Sequence, residues 1–274
     1  MPIKLVAKHD FKIPINAECI SPDILAGKSN SEIASLKVWE GNKQTNLGKL
    51  FNIEGETGKT PAETCIEIVG NLHKVRRIGA KMTSGEILVK GNAGMHLGEE
   101  MKGGTIKVYG DADSWCGAMM KGGTIEITGN VGDFLGATYR GAITKAMNGG
   151  TIIVHGNAGN EIGYYMKNGT IKIEGNAGQF VGIHMQNGTI LIKGKCEERV
   201  GACMTSGKIV LLGYVESILP SFTLDSIKPK TKVEDENVEG PFYLFIGDLT
   251  EKGDGKVFVS CVKNPHLNFY EKLL

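Results

Sequence analysis

One motif, Gly-x-x-Met-x-x-Gly-x-Ile-x-(Ile/Val)-x-Gly, recurs seven times along the middle of the chain, and a fixed-period repeat must be read before anything else. The first copy runs through Gly79, Met82, Gly85, Ile87, Val89 and Gly91; the last runs through Gly201, Met204, Gly207, Ile209, Leu211 and Gly213. The step is 19 residues from Ile87 to Ile106 and Ile125, then 27 to Ile152, then 19 again to Ile171, Ile190 and Ile209. Within a copy, Thr105-Ile106-Lys107-Val108-Tyr109-Gly110 alternates apolar with polar, the signature of a half-buried strand. Nineteen residues punctuated by glycine leave no room for a pair of helices. A short strand at constant spacing pairs best with its own copy in the next turn of the chain, at about 4.8 Å. The expected fold is therefore all-β: a right-handed parallel β-helix of about seven 19-residue coils, with non-repetitive caps at both ends.

Each repeated residue then has a physical task. Ile and Val form inward aliphatic rows, and β-branched side chains suit a pleated surface packed on one side. The methionines Met82, Met101, Met120, Met147, Met166, Met185 and Met204 are expected to point inward and fill the gaps near a corner. This is favoured over Cu(I) binding by the same row. Glycine, 39 of the 274 residues, marks corners with positive φ. Asn92, Asp111, Asn130, Asn157 and Asn176 follow successive strands and are expected to stack as an amide ladder.

The breaks in the repeat are where function is expected. The fourth copy carries eight extra residues between Gly136 and Met147, with Thr144 where its leading glycine belongs, so the loop is expected to re-enter the coil there. Insertions in a solenoid emerge from one face and commonly bind, which makes Tyr139, Arg140 and Lys145 candidate partner contacts. Lys74, Arg76 and Arg77 gather with His73 at the corner before the first copy, and Arg199 has a similar phase in the last. They suit an acidic partner or anion, or equally a solvated basic edge. Residues 1–64 read as an N-terminal cap or arm, 65–213 as the β-helix, and 214–274 as an extension packing on the solenoid or on a partner. Residues 50–55 suggest a degenerate first coil, 220–240 a long polar connection, and 242–246 and 256–262 further strands.

Chemistry is scarce in this sequence. A net charge of +1 supplies no field for collecting nucleic acid or anionic membrane. The six cysteines include no C-x-x-C pair and no metal-ligand spacing, and read as reduced thiols. His96, His155 and His184 fall at different phases of the repeat, so no shared metal set is expected. The glycine-rich stretches recur seven times without a following helix, unlike a dinucleotide fingerprint. Hexapeptide β-helix enzymes have coils in multiples of six, and 19 is not one. Asn168 and Asn187 match glycosylation sequons but fall on turns of the repeat. No leader-like apolar segment and no run of about 20 apolar residues is seen, so a cytoplasmic location is expected. No catalytic, cofactor-binding or metal-binding residue is nominated.

The sevenfold motif over 79–213 resembles the family of C subunits of molybdenum- or tungsten-containing formylmethanofuran dehydrogenase. The same repeat class is similar to the C-terminal β-helix domain of glutamate synthase. The first resemblance implies a non-catalytic scaffold subunit of a cytoplasmic oxidoreductase complex that reduces CO2 on methanofuran in methanogenesis. It implies partners of three kinds: a metal–pterin subunit, an amidohydrolase-like subunit with a two-metal site, and ferredoxin-like subunits. Molybdopterin with tungsten or molybdenum, the Fe–S clusters and the two-metal site would then lie on those chains and not on this one. The corresponding scaffold of a formyltransferase/hydrolase complex and a glutamate synthase-like domain stay open as alternatives.

Overall fold

The computed structural model describes residues 2–274. The chain is mostly β, and thirteen strands form its larger sheet. Each repeat contributes one strand: Glu86–Lys90, Thr105–Val108, Thr124–Ile127, Asn148–Val154, Asn168–Ile173, Thr189–Ile192 and Lys208–Leu211. These pair in parallel, copy on copy, with Ile87, Ile106, Ile125, Ile152, Ile171, Ile190 and Ile209 in register. The 27-residue step leaves this pairing unbroken, because the extra residues bulge out before the strand begins. A second line of parallel bridges links Leu72, Ala93, Ala112, Val131, Ala158, Ala177, Cys196 and Val215. Every copy thus touches its neighbours along two separate lines.

The core lies between these lines. The Ile row is fully buried, as is the row of Val89, Val108, Ile127, Val154, Ile173, Ile192 and Leu211 two residues on. Each such side chain contributes about 1.5–3 kcal/mol by leaving water. The seven methionines are also fully buried. Gly98 has φ +63°, and a Cβ on it would lie 2.5 Å from Ile125 Cδ1 in the following copy. Gly175 is a glycine for a different reason. Its φ is ordinary, but a Cβ would lie 2.5 Å from the Gly156 carbonyl oxygen, so close backbone approach and not a left-handed turn excludes a side chain there.

Two details differ from expectation within the repeat. Gly136, with φ +61° and Ile171 Cδ1 2.6 Å from its would-be Cβ, is the leading glycine of the fourth copy. The insertion follows that glycine, where the spacing puts it, but Thr144 does not stand in for the leading glycine: it sits inside the loop on the 3-10 turn Ile143–Lys145. The Asn/Asp row is not an amide-to-amide ladder. Asn92 Oδ1 accepts from the Asp111 N–H at 2.9 Å, Asp111 Oδ1 from Asn130 N–H at 2.7 Å, and so on to Lys195 N–H. The acceptor is a side-chain oxygen and the donor is backbone, which is why Asp111 serves as well as asparagine.

The ends extend the same sheet. Ile3–Ala7 pairs in parallel with Cys65–Val69, which pairs with the first repeat strand. Phe51–Glu54 runs antiparallel to Ile3–Ala7, so residues 50–55 are an edge strand and not a first coil. A four-stranded sheet of Lys43–Asn46, Lys37–Glu40, Ile15–Asn16 and Val75–Arg76 lies beside them. At the other end, Gly255–Ser260 pairs in parallel with Lys208–Leu211. Residues 220–240 are not a polar connection. They supply the strand Thr223–Val233 and the start of Glu236–Gly247, which form a long hairpin. Pro229 is tolerated because Thr223–Val233 is the sheet edge and its register shifts between Lys228 and Lys230. The hairpin packs Val233, Phe242 and Leu244 on Leu191, Val210 and Phe258, making a second core on the outer face of the sheet.

Candidate docking face

Two residues before each leading glycine the chain takes a left-handed turn on a residue that is not glycine. Arg77, His96, Trp115, Phe134, Glu161, Phe180 and Arg199 all have φ between 54° and 65°. A second row two residues after that glycine, Lys81, Glu100, Met119, Tyr165, His184 and Cys203, has φ of 55–60°. Such backbone costs on the order of 1 kcal/mol per residue and persists only where its surroundings over-determine it. Here each turn is held by the next: His96 N–H donates to Ser114 O at 3.1 Å and Trp115 N–H to Asp133 O at 2.9 Å.

These rows stack aromatic side chains on one corner of the molecule. Trp115 and Phe134 lie face to face, with centroids 4.2 Å apart. His96 stacks on Trp115 at 6.3 Å, Tyr165 on His184 at 4.5 Å, and the Arg199 guanidinium lies 5.1 Å from the Phe180 ring. The inserted loop crosses this corner. The Tyr139 ring is 4.9 Å from Trp115, and its hydroxyl reaches back two copies to donate to Glu99. His96 Nδ1 is 2.9 Å from the same hydroxyl. With that proton given to Glu99, His96 is the Nδ1–H tautomer and donates to the phenol oxygen. Glu99 is 4% exposed, and its Oε2 lies 2.9 Å from Arg77 Nη1 without an aligned hydrogen bond. The same Nη1 donates to Glu18 Oε1 at 3.0 Å. Burial, then the charges of Arg77 and Arg76, push His96 down to about 4, so it is neutral near pH 7. Burial and Glu99 push the Tyr139 phenol up.

The six residues singled out from sequence end up in different settings. Tyr139 is half-buried in the cluster just described. Arg140 is 76% exposed, and its Nη2 stands 3.4 Å from Glu161 Oε1. Lys145 is exposed at the far end of the loop. Arg140 leans over a cleft of about 340 Å3 walled by Tyr164, Phe180, Ile183 and His184. Lys74 precedes the short strand Val75–Arg76 and Arg76 is its second residue, and both are half-buried. Arg77 turns away from them into the Glu99 cluster, so the structure joins Arg77 and Tyr139 into one site. Carboxylates share the basic corner, His73 Nδ1 being 3.9 Å from Asp113. Sequence reasoning missed Glu99, His96, Trp115 and Phe134. A signal existed: Glu99 is the one charged residue in a row that holds Ala80, Ala118, Ala137, Tyr164, Ile183 and Ala202 in the other copies.

Among the described residues, no group of three or more His, Cys, Asp or Glu is placed to hold a metal. Burial pushes the Cys116 and Cys196 thiols up to about 12. Among the described residues, no helix is long and apolar enough to cross a membrane.

No protein-family model matches the chain. Over 93 residues it is 42% identical to the C subunit of molybdenum-containing formylmethanofuran dehydrogenase 1 from Methanosarcina barkeri, covering 34% of this chain and 31% of that one. Over 95 residues it is 44% identical to the C subunit of tungsten-containing formylmethanofuran dehydrogenase 2 from Methanothermobacter thermautotrophicus, covering 35% of each. The match thus spans about a third of the length of these curated relatives. A chain in the crystal structure of the formyltransferase/hydrolase complex (FhcABCD) from Methylorubrum extorquens, in complex with methylofuran, superposes with a TM-score of 0.83 at 28% identity, over 94% of this chain and 99% of that one. The chain is a homologue of the C subunits of both the molybdenum- and the tungsten-containing formylmethanofuran dehydrogenases, and it shares its fold with a chain of the FhcABCD assembly.

Proposed function

We propose that the chain is a non-catalytic, assembly-forming subunit of a cytoplasmic formylmethanofuran dehydrogenase, built as a right-handed parallel β-helix over 65–213 with a cap over 1–64 and an extension over 214–274. The observation that carries this reading is the 42–44% identity to the C subunits of that oxidoreductase within a chain whose copies stack in parallel register. A rigid stack with an aromatic corner suits docking: aromatic residues and arginine are the side chains most enriched where protein interfaces concentrate their energy. Tyr139, Arg140 and Lys145 form the contact on the inserted loop, with Lys74, Arg76 and Arg77 along the neighbouring corner. The partners are a metal–pterin subunit, an amidohydrolase-like subunit and ferredoxin-like subunits. They hold the molybdopterin with tungsten or molybdenum, the Fe–S clusters and the two-metal site. Native mass spectrometry of the endogenous assembly with metal analysis tests this: the chain is expected in one particle with tungsten or molybdenum. The purified chain alone is expected to turn over neither formate nor methanofuran, and turnover by it alone would refute the scaffold reading.

A second reading is favoured by the superposition over 94% of the chain on a member of the FhcABCD complex. In that reading the chain belongs to a formyltransferase/hydrolase assembly without redox chemistry. The same measurement separates the two, since a particle containing this chain but no tungsten, molybdenum or iron supports the second.

A further inference from the structure

We propose that Glu99 is the positioning residue of the docking face: its buried carboxylate clasps Tyr139 and so holds the inserted loop in one conformation over Trp115, with Arg140 at the mouth of the cleft. The inference rests on the docking reading above, but it concerns this chain alone.

A carboxylate does not enter, buried, a row otherwise made of alanine, Tyr164 and Ile183 without a compensating partner, because an unpaired buried charge is strongly unfavourable. The partners of Glu99 come from segments far apart in sequence: Arg77 beside the first repeat, Tyr139 on the insertion, and Glu18 through Arg77. The cluster therefore ties the N-terminal region, the repeat and the loop together at one point. The loop has other anchors, each within the loop itself or to the adjacent copy: Thr138 Oγ1 to Ala142 O at 2.9 Å, Thr138 N–H to Tyr164 O at 3.2 Å, Lys167 Nζ to Thr144 O at 3.2 Å, and the exposed Arg140 Nη2 to Glu161 Oε1 at 3.4 Å. Tyr139 alone carries it across two copies of the stack. Glu99 Oε2 has the Arg77 charge but no aligned donor, so the Tyr139 hydroxyl supplies the directional contact to this carboxylate. A loop already fixed in its bound shape does not lose that freedom on docking, which is how a clasp inside one chain strengthens contact with another.

The test uses the full chain, alone and coexpressed with its partner subunits. The chain has two tryptophans, Trp39 and Trp115, so a Trp39→Phe background makes emission report on Trp115 alone. Glu99→Gln and Tyr139→Phe are compared with Arg140→Glu in that background. Loss of a hydrogen bond to a charged group corresponds to roughly ten- to a hundredfold faster amide exchange where it governs local opening. The first two variants are expected to show that acceleration over 138–145, with a red shift of Trp115 emission, while exchange in the repeat strands stays as in the parent. Arg140→Glu gives up only the exposed contact to Glu161, and is expected to change exchange by at most about fivefold and to leave emission unchanged. Parent-like exchange and emission in Tyr139→Phe would overturn the clasp, and this variant decides alone if Glu99→Gln does not fold. Faster exchange in the first two variants, with assembly intact in all three, would leave the clasp standing and remove the loop from the docking surface.

Discussion

The outer face of the large sheet carries two different surfaces on one backbone. At the same register position stand Lys107 and Glu126 in the second and third copies, and Leu191 and Val210 in the sixth and seventh. The first pair is solvated and begins a chain of ion pairs. Lys107 meets Glu126 at 3.0 Å, His155 bridges Glu126 at 3.0 Å and Glu174 at 2.8 Å, and Lys193 closes the chain at 2.7 Å from Glu174. The second pair is buried beneath the hairpin of Thr223–Val233 and Glu236–Gly247. Inward-facing residues are nearly identical in all copies, so the core does not distinguish them. The outward residues decide whether a stretch of sheet meets water or recruits another element of the chain.

That contrast breaks most readily at the covered end. Phe258→Ala removes a ring that meets Phe242 edge to face at 6.2 Å, and is expected to cost about 3–5 kcal/mol by loss of buried area and cavity formation. Denaturant unfolding should show the loss, and limited proteolysis should cut first near the hairpin tip. A smaller effect is expected at the latch of that hairpin, where Lys172 Nζ lies 2.5 Å from Glu234. The hydrogen bond from Lys172 holds the Glu234 carboxyl below its usual range. The folded pKa is thus lower than the unfolded one. The latch is fully present above the ordinary carboxylate range and is lost as pH falls through the folded value. Glu234 is 39% exposed, so screening limits Glu234→Gln to at most about 1 kcal/mol, and the variant should abolish this acid dependence of hairpin exchange.

The open end tests the opposite sign. Hydrogen bonds to Glu174, then Glu126, raise the His155 pKa above its ordinary 6.5. Its contribution is complete below that value and fades as pH rises through the higher folded value. Titration of the imidazole by NMR should show the raised value, and Glu174→Gln should lower it. Lys107→Leu is expected to change stability least of all. It would place an apolar side chain beside Leu88 on the uncovered face, and the expected outcome is self-association on size exclusion with the unfolding midpoint almost unmoved.

The stacking register and the buried Ile, Val and Met rows were legible in the sequence because each is written seven times with a constant step. The features read poorly are those written once or written in backbone. Pro229 disguised an edge strand as a connection, since nothing in 220–240 alone says that a proline will fall on a register shift. The left-handed rows were hidden because Arg77, His96, Trp115 and Phe134 share a conformation and not a chemistry. The Asn/Asp row was visible, but its donors are backbone N–H groups that no side-chain pattern reveals. Glu99 was legible in principle, as the one acid in a row of uncharged residues. Its tie to Tyr139 spans 40 residues, beyond the reach of any local pattern.

The row that begins at Asn92 also has a direction. Every Oδ1 points to the next copy, and the row ends at Lys195, whose side chain offers no acceptor to pass on. The molecule therefore behaves as a ruler with graduations of about 4.8 Å and a stop mark at one end. Duplicating a single period ahead of Lys195 should lengthen it by one graduation, leave both ends intact, and shift whatever is bound beyond that point by the same amount.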